Sequence, residues 1–358
     1  MKVEWVVSAV LGALLFFSLS GASAAVNTRR IREVRSKDVL SAEDLRSIDN
    51  FVADAVKELI RTKEFSSVAA VRNAISEHAD STGPSAPQYE AEFFESAYKH
   101  ISEALQKARD EGSFIAEVNL LILVERLLAT GPKDLRLVDL ALGPIADGNA
   151  VVRYLAVSAV TSPAIVKQLD PKLAERIVRQ LEAAVDAGNP ETMGLMARFT
   201  ADVRSAEGDK LLLEVADARI KSYGEWTVEF EPLDDAILKS LCSRIASESG
   251  HKLELVQRFC QLYSYVIQRY LQDMQGGNFL DDRSREQTAS VLVEVEKACI
   301  GVLTGSPRSG IKGAIERGDA AGLSRAHDSL LAEELPRIFP ELKAPLPLPQ
   351  RPKSKVPE

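Results

Sequence analysis

The sequence is poor in the residues that carry most metal and nucleophile chemistry. Its 358 residues include only four histidines and three cysteines. No two histidines are spaced at i, i+4 and none lies in a cluster with cysteine, which argues against a zinc site. The chain also lacks a G-x-S-x-G elbow, a P-loop and a dinucleotide-binding fingerprint. We therefore expect no cofactor and no metal, and a non-catalytic protein is favoured over an enzyme.

Basic residues are too few for a nucleic-acid-binding surface. Lysine and arginine number 44 against 52 aspartates and glutamates, a net charge of −8. Both ends of the chain are basic, so residues 39–342 alone carry −14. A body this acidic repels a phosphate backbone, and nucleic acid is excluded as an expected partner.

Only one apolar run is long enough to direct the chain to a membrane. The sequence from Trp5 to Ala25 has no charge and ends in small residues of the A-x-A type. This pattern predicts a signal peptide over residues 1–24, cleaved near Ala24, and export to the periplasm or the medium without stable membrane insertion. Residues 25–38 would form a basic linker. Its four arginines favour the alternative of an uncleaved N-terminal membrane anchor.

Beyond that linker, apolar residues recur at helical spacing almost throughout. The segment "LSAEDLRSIDNFVADAVKELIR" places its apolar residues on one face. Ser41 is suited to cap this helix, and Asp44 stands three residues on, where it can complete a capping box. Alternation of period two occurs only in 224–232, and one strand cannot form a sheet. The sequence therefore predicts an all-α protein.

Residues 135–160 contain the most specific pattern. In "LRLVDLALGPIADGNAVVRYLAVSAV" an Asp precedes a Gly-Asn turn, and a Val-Arg pair opens the second apolar stretch. This unit resembles a HEAT repeat, in which two antiparallel helices stack on those of neighbouring units. The resemblance implies that Asp147 and Arg153 bond between units as a structural ladder. It also implies an α-solenoid that presents an extended surface to other proteins.

A shift of 40 residues reveals a degenerate second copy around 175–203. Gly148-Asn149 then aligns with Gly188-Asn189, and Leu155 with Leu195. At both places we expect glycine to end a helix in the left-handed conformation and asparagine to cap the next. The copies predict two stacked helix pairs, 133–147 with 150–160 and 171–187 with 190–203. The second copy lacks the Val-Arg pair.

These patterns give a domain organisation. Residues 39–222 form the helical repeat-like domain, 223–232 an extended connector, and 233–342 a C-terminal helical bundle. Residues 343–358 are rich in proline and basic, which is typical of a disordered tail. The same composition also suits a ligand of an SH3-like domain.

Two features of the C-terminal bundle attract attention. Cys242 and Cys260 are equally far in sequence from the turn between their helices, and so are Cys260 and Cys299 from the next turn. We therefore expect the three cysteines at the same level of the bundle, with Cys260 in the middle. Any disulfide would then join Cys260 to Cys242 or to Cys299. Tyr263 and Tyr270 lie on the broad apolar stripe of the helix 253–274. They are either core residues or the lining of a ligand groove.

We interpret the chain as an exported, non-catalytic helical scaffold for protein–protein interaction. Two alternatives remain open. One is an envelope hydrolase or lyase with an unrecognised site. The other is a small-molecule binding module in the C-terminal bundle.

Overall fold

The computed structural model describes residues 28–62, 64–79, 86–131, 134–203, 205–247 and 249–351. Within these ranges all regular secondary structure is helical, which confirms the all-α prediction. The predicted signal peptide lies outside the described residues, as do residues 25–27 of the predicted basic linker and residues 352–358 of the tail. None of the described helices is both long enough and apolar enough to cross a membrane.

The chain divides into two compact units, Met1–Asp170 and Pro171–Glu358. The predicted boundary near residue 222 is therefore misplaced by about three helices. The reason is packing: the helices 190–202 and 206–224 contact 232–246 and 252–272, so they share the core of the C-terminal residues. Apolar periodicity along the chain records which face of a helix is buried, but not which helices it is buried against.

The N-terminal unit contains eight α-helices in its described part. They are α1 (Thr28–Arg35), α2 (Ala42–Arg61), α3 (Phe65–Ala79), α4 (Ala86–Asp110), α5 (Phe114–Ala129), α6 (Leu137–Leu142), α7 (Ala150–Val160) and α8 (Pro163–Val166). The predicted capping box is present at α2, where Ser41 Oγ accepts from the backbone N–H of Asp44 and the Asp44 carboxylate accepts from the N–H of Ser41. Helices α2 and α4 pack together, as do α5 and α7.

The segment 135–160, predicted to resemble a HEAT repeat, forms α6, a short 3-10 turn and α7. Helices α6 and α7 pack against each other. Asn149 caps α7 as expected, since its side chain accepts from the N–H groups of Val151 and Val152. Arg153 Nη1 donates to the backbone carbonyl of Asp147 at 2.8 Å, within one unit. The Asp147 carboxylate instead accepts from the N–H of Asn149.

The C-terminal unit contains ten α-helices in its described part. They are α9 (Pro171–Glu182), α10 (Pro190–Asp202), α11 (Ala206–Gly224), α12 (Pro232–Ala246), α13 (Lys252–Gln272), α14 (Asp282–Val295), α15 (Gly301–Thr304), α16 (Gly310–Glu316), α17 (Ala320–Asp328) and α18 (Leu335–Ile338). Helix α13 is central: α11, α12, α14 and α17 all contact it. Three short π-helical segments follow α13, α14 and α17.

The second copy of the sequence repeat keeps its cap but not its packing. Asn189 caps α10, with Pro190 at the first helical position. The main partners of α10 are α11 and α12 rather than α9. Leu195 is half-buried, whereas Leu155 is buried. Neither Gly148 nor Gly188 has a positive φ, so the expectation of left-handed glycines at these turns is wrong.

The connector 223–232 is irregular rather than extended. Trp226 and Phe230 both adopt left-handed φ values, 58° and 57°. Arg219, on α11, donates to the carbonyls of Glu229 and Phe230 and so holds the connector against the unit. The alternation that suggested an extended segment is thus overridden by two turns of the backbone.

Candidate peptide-binding site

Three glutamines form a polar line on α13. Gln257, Gln261 and Gln268 stand at i, i+4 and i+11, and eleven residues are close to three helical turns. They therefore face the same side of a helix whose other positions are mostly buried. We call these three side chains the glutamine line.

The tail segment 343–351 lies along the glutamine line. The Gln257 side-chain amide pairs with the main chain of Lys343: Oε1 accepts from its N–H at 2.9 Å, and Nε2 donates to its carbonyl at 3.0 Å. Gln261 repeats this two-way pairing with Leu346, at 2.8 Å and 3.1 Å. A carboxamide presents one acceptor and one donor side by side, so it matches a peptide group as a neighbouring strand would.

The third glutamine is oriented by a side-chain relay. Gln268 Oε1 accepts from the N–H of Leu348 at 2.7 Å. Its Nε2 donates to Ser264 Oγ, which in turn is hydrogen-bonded to Nε2 of His327 on α17. Ser264 is fully buried. The relay therefore fixes which end of the Gln268 amide faces the tail.

Helical and extended geometry agree along this contact. The glutamine line spans eleven helical residues, about 16 Å. Residues 343–348 span five steps, which in a polyproline II conformation is also about 16 Å. Because residue numbers rise together on both sides, the tail runs parallel to α13.

The end of the tail meets the connector. Trp226 Nε1 donates to the carbonyl of Pro349 at 2.9 Å. The Trp226 ring packs edge-on against Phe279, and the guanidinium of Arg351 lies 5.3 Å from the centre of the Phe279 ring. These contacts anchor the tail beyond the last glutamine.

The two leucines of the tail differ in burial. Leu348 is 7 % exposed, whereas Leu346 is 65 % exposed. Prolines occupy 345, 347 and 349, so those positions have no N–H that needs a partner. The expectation of a disordered tail therefore does not describe residues 343–351, whose non-proline N–H groups are bound at three positions.

Buried ion pairs fix the floor of the site. Asp234, on α12, accepts from Nε and Nη2 of Arg219 at 2.7 Å and 2.9 Å, and from the hydroxyl of Tyr223 at 2.8 Å. Burial and the neighbouring carboxylate raise the pKa of Tyr223 well above its usual value. Burial alone would lower the pKa of Arg219, but the ion pair with Asp234 outweighs it and raises that pKa. A second pair joins Arg269 to Glu231 at 3.1 Å.

A cavity of about 180 Å³ lies between this floor and the tail. It is lined by Tyr223, Trp226, Val228, Arg269, Phe279, Leu348 and Arg351. Pockets for drug-sized ligands are typically about 300–1,000 Å³. The volume is thus closer to that of one or two side chains than to that of a small-molecule ligand.

The predicted tyrosine groove is absent from its expected place. Tyr263 is fully buried and its hydroxyl donates to the carbonyl of Leu292 at 3.1 Å. Tyr270 is 7 % exposed, and burial raises the pKa of both hydroxyls. Both residues belong to the core, because the stripe on α13 is enclosed by its neighbouring helices.

The three cysteines are free and buried, and two of them meet. Cys242 Sγ lies 3.8 Å from the carbonyl oxygen of Cys299. A hydrogen bond between these two thiols lowers the pKa of Cys242 and raises that of Cys299. Burial raises the pKa of Cys260 to about 12. The contact that the structure shows therefore joins Cys242 to Cys299.

Two acidic residues near the turn between α13 and α14 serve the fold. Asp281 caps α14 by accepting from the N–H of Ser284, and Asp273 accepts from the N–H groups of Phe279 and Leu280. No group of three or more histidine, cysteine, aspartate or glutamate side chains in the described ranges is arranged to hold a metal ion.

The glutamine line was missed at the level of sequence. Its i, i+4, i+11 spacing is a visible signal, but glutamines on a helix usually face solvent.

Comparison with known proteins finds no significant match to a family model, to a curated protein or to a solved structure. The function must therefore be argued from the geometry of this site.

Proposed function

We propose that the protein is a non-catalytic interaction protein whose C-terminal unit binds an extended peptide along α13. The observation that carries this proposal is the pairing of the glutamine line with the main chain of residues 343–348. Five hydrogen bonds go to backbone atoms and none to a tail side chain. A surface that binds the backbone accepts any segment that presents the same donors and acceptors.

The predicted export of the protein is compatible with this proposal but is not the evidence for it. The helix array and the lack of a catalytic motif support a binding protein, as does the small volume of the cavity beneath the tail. In this arrangement the tail is the resident occupant, and a partner replaces it. This recognition resembles the addition of a strand to a sheet edge, because both use hydrogen bonds to the main chain of the peptide. Here the peptide binds to the side-chain amides of a helix rather than to a strand.

The test uses the full chain with its own tail released. Leu346→Pro and Leu348→Pro remove two of the three N–H donors while preserving the polyproline conformation. Trp5→Phe leaves Trp226 as the single tryptophan, so its emission reports on the site. A synthetic peptide of residues 343–351 should bind saturably to this protein.

A matched pair of variants shows whether binding uses the glutamine line. Gln261→Leu in the same background should weaken the peptide at least tenfold, because one N–H and one carbonyl lose their partners. Gln106→Leu, an exposed glutamine on α4 that bonds only to Asp110, should change nothing. Absence of saturable binding by the unmodified peptide would refute the proposal.

A further inference from the structure

The geometry points to a specific ligand class: we propose that the site recognises a proline-rich segment of another protein with the pattern x-x-Pro-x-Pro-Leu-Pro. This inference rests on the proposed function and names its partner. The first residue of the pattern corresponds to Lys343 and the leucine to Leu348. The pattern follows from which tail atoms are bound and which are not.

The glutamine line requires N–H donors at three positions. The side-chain oxygens of Gln257, Gln261 and Gln268 each accept one tail N–H, from residues 343, 346 and 348. A proline at any of these three would leave an acceptor without a donor. Prolines at 345, 347 and 349 remove only N–H groups that the site does not bind. They also pre-form the extended conformation and so reduce the entropy lost on binding.

Within the seven-residue pattern, side-chain selectivity is strongest at one position. Leu348 is buried against the floor and lines the cavity with Tyr223 and Trp226, whereas Leu346 points its side chain largely to solvent. The site therefore selects an apolar residue at the sixth place of the pattern and tolerates any non-proline residue at the fourth. Basic flanks are favoured as well, since Arg351 packs on Phe279 and the body of the chain is acidic.

The occupant is another protein rather than a second copy of this chain. Only four residues, 339–342, separate α18 from Lys343, so the tail is present at its site at an effective concentration of about millimolar. Exchange of tails between two copies would gain no hydrogen bond and would lose this advantage. A partner displaces the tail only by fitting the pattern better or by contacting more surface.

The experiment compares peptides on one protein. The full chain with Trp5→Phe, Leu346→Pro and Leu348→Pro is titrated with the 343–351 peptide, followed by Trp226 emission. Two altered peptides carry proline or alanine in place of Leu346. The alanine peptide should bind within about twofold of the unaltered one, because it keeps the N–H. The proline peptide should bind about tenfold more weakly.

Each outcome decides one question. Equal binding of the proline and alanine peptides would overturn the pattern while leaving peptide binding intact. Failure of all three peptides would overturn the proposed function itself. If the doubly substituted tail stays docked, with Trp226 emission unchanged from that of the unaltered tail, the donor requirement is wrong. If the chain with its natural tail dimerises at micromolar concentration in light scattering, the assignment to another protein is wrong.

Discussion

Replacing Arg219 by methionine should destabilise the C-terminal unit strongly. Arg219 is 3 % exposed and supplies two of the three hydrogen bonds to the buried carboxylate of Asp234. Methionine preserves most of the volume but leaves that carboxylate with the Tyr223 hydroxyl alone. Breaking a buried pair by removing one partner costs about 3–5 kcal/mol, because the remaining charge is uncompensated. The carbonyls of Glu229 and Phe230 lose their donor at the same time.

A second substitution distinguishes the cost of the unpaired charge from the cost of lost packing at Arg219. Asp234→Leu removes the stranded charge, and a buried pair replaced by apolar residues is often neutral in stability. The double variant should therefore recover at least half of what Arg219→Met loses. Urea unfolding followed by Trp226 emission, in the Trp5→Phe background, reports on the C-terminal unit alone.

The same variant links the floor of the site to its edge. Arg219 holds the connector that carries Trp226, and Trp226 in turn donates to the tail at Pro349. Below the unfolding transition, Arg219→Met should shift Trp226 emission as the tail loses this contact. A cost below about 1 kcal/mol, or a double variant no more stable than the single one, would refute this account of the ion pair.

Three further outcomes follow from individual contacts. Neighbouring groups, first of them Lys37, lower the pKa of the Asp44 carboxylate from 3.8 to about 2, so the charged carboxylate stabilises the fold at pH values above 3.8. Asp44→Asn should therefore lower stability by about 1 kcal/mol at pH 7 in thermal melts. The difference between the two proteins should disappear as the pH falls from about 4 to 2. Oxidation by a thiol–disulfide exchange reagent should join Cys242 to Cys299, which peptide mapping without reduction would show, because the thiol of Cys242 lies 3.8 Å from the backbone carbonyl of Cys299. Gly208→Ala should lower the free energy of unfolding in urea by about 1–3 kcal/mol, since the new Cβ would lie 2.6 Å from the carbonyl oxygen of Val203. An unchanged unfolding midpoint would show that the start of α11 can shift to make room for it.

Local features of this fold could be predicted because they depend on neighbours in sequence. The capping box of Ser41 and Asp44 needs residues three apart, and Asn149 and Asn189 each cap the helix that follows directly. The left-handed conformation expected for the glycines before these asparagines did not follow, since neither Gly148 nor Gly188 has a positive φ.

The candidate site depends on contacts that no local pattern records. Gln257 and Lys343 are 86 residues apart, and each alone is typical of an exposed position. The proline spacing of the tail indicated an extended ligand, but an ordinary reading assigns such a segment to a partner's groove rather than to its own chain. The burial of Leu348 could not be predicted from the sequence either, because it depends on the position of Trp226 on an irregular connector.

The parallel course of the tail on α13 determines how the contact would respond to force. Traction applied beyond Arg351 and directed away from the helix would load the Pro349 and Leu348 contacts first, and the bonds would open one after another toward Lys343. Traction along the helix axis would load all five glutamine bonds together, as in shear. A partner or tether pulling from that end would therefore release the segment easily in one direction and resist release in the other.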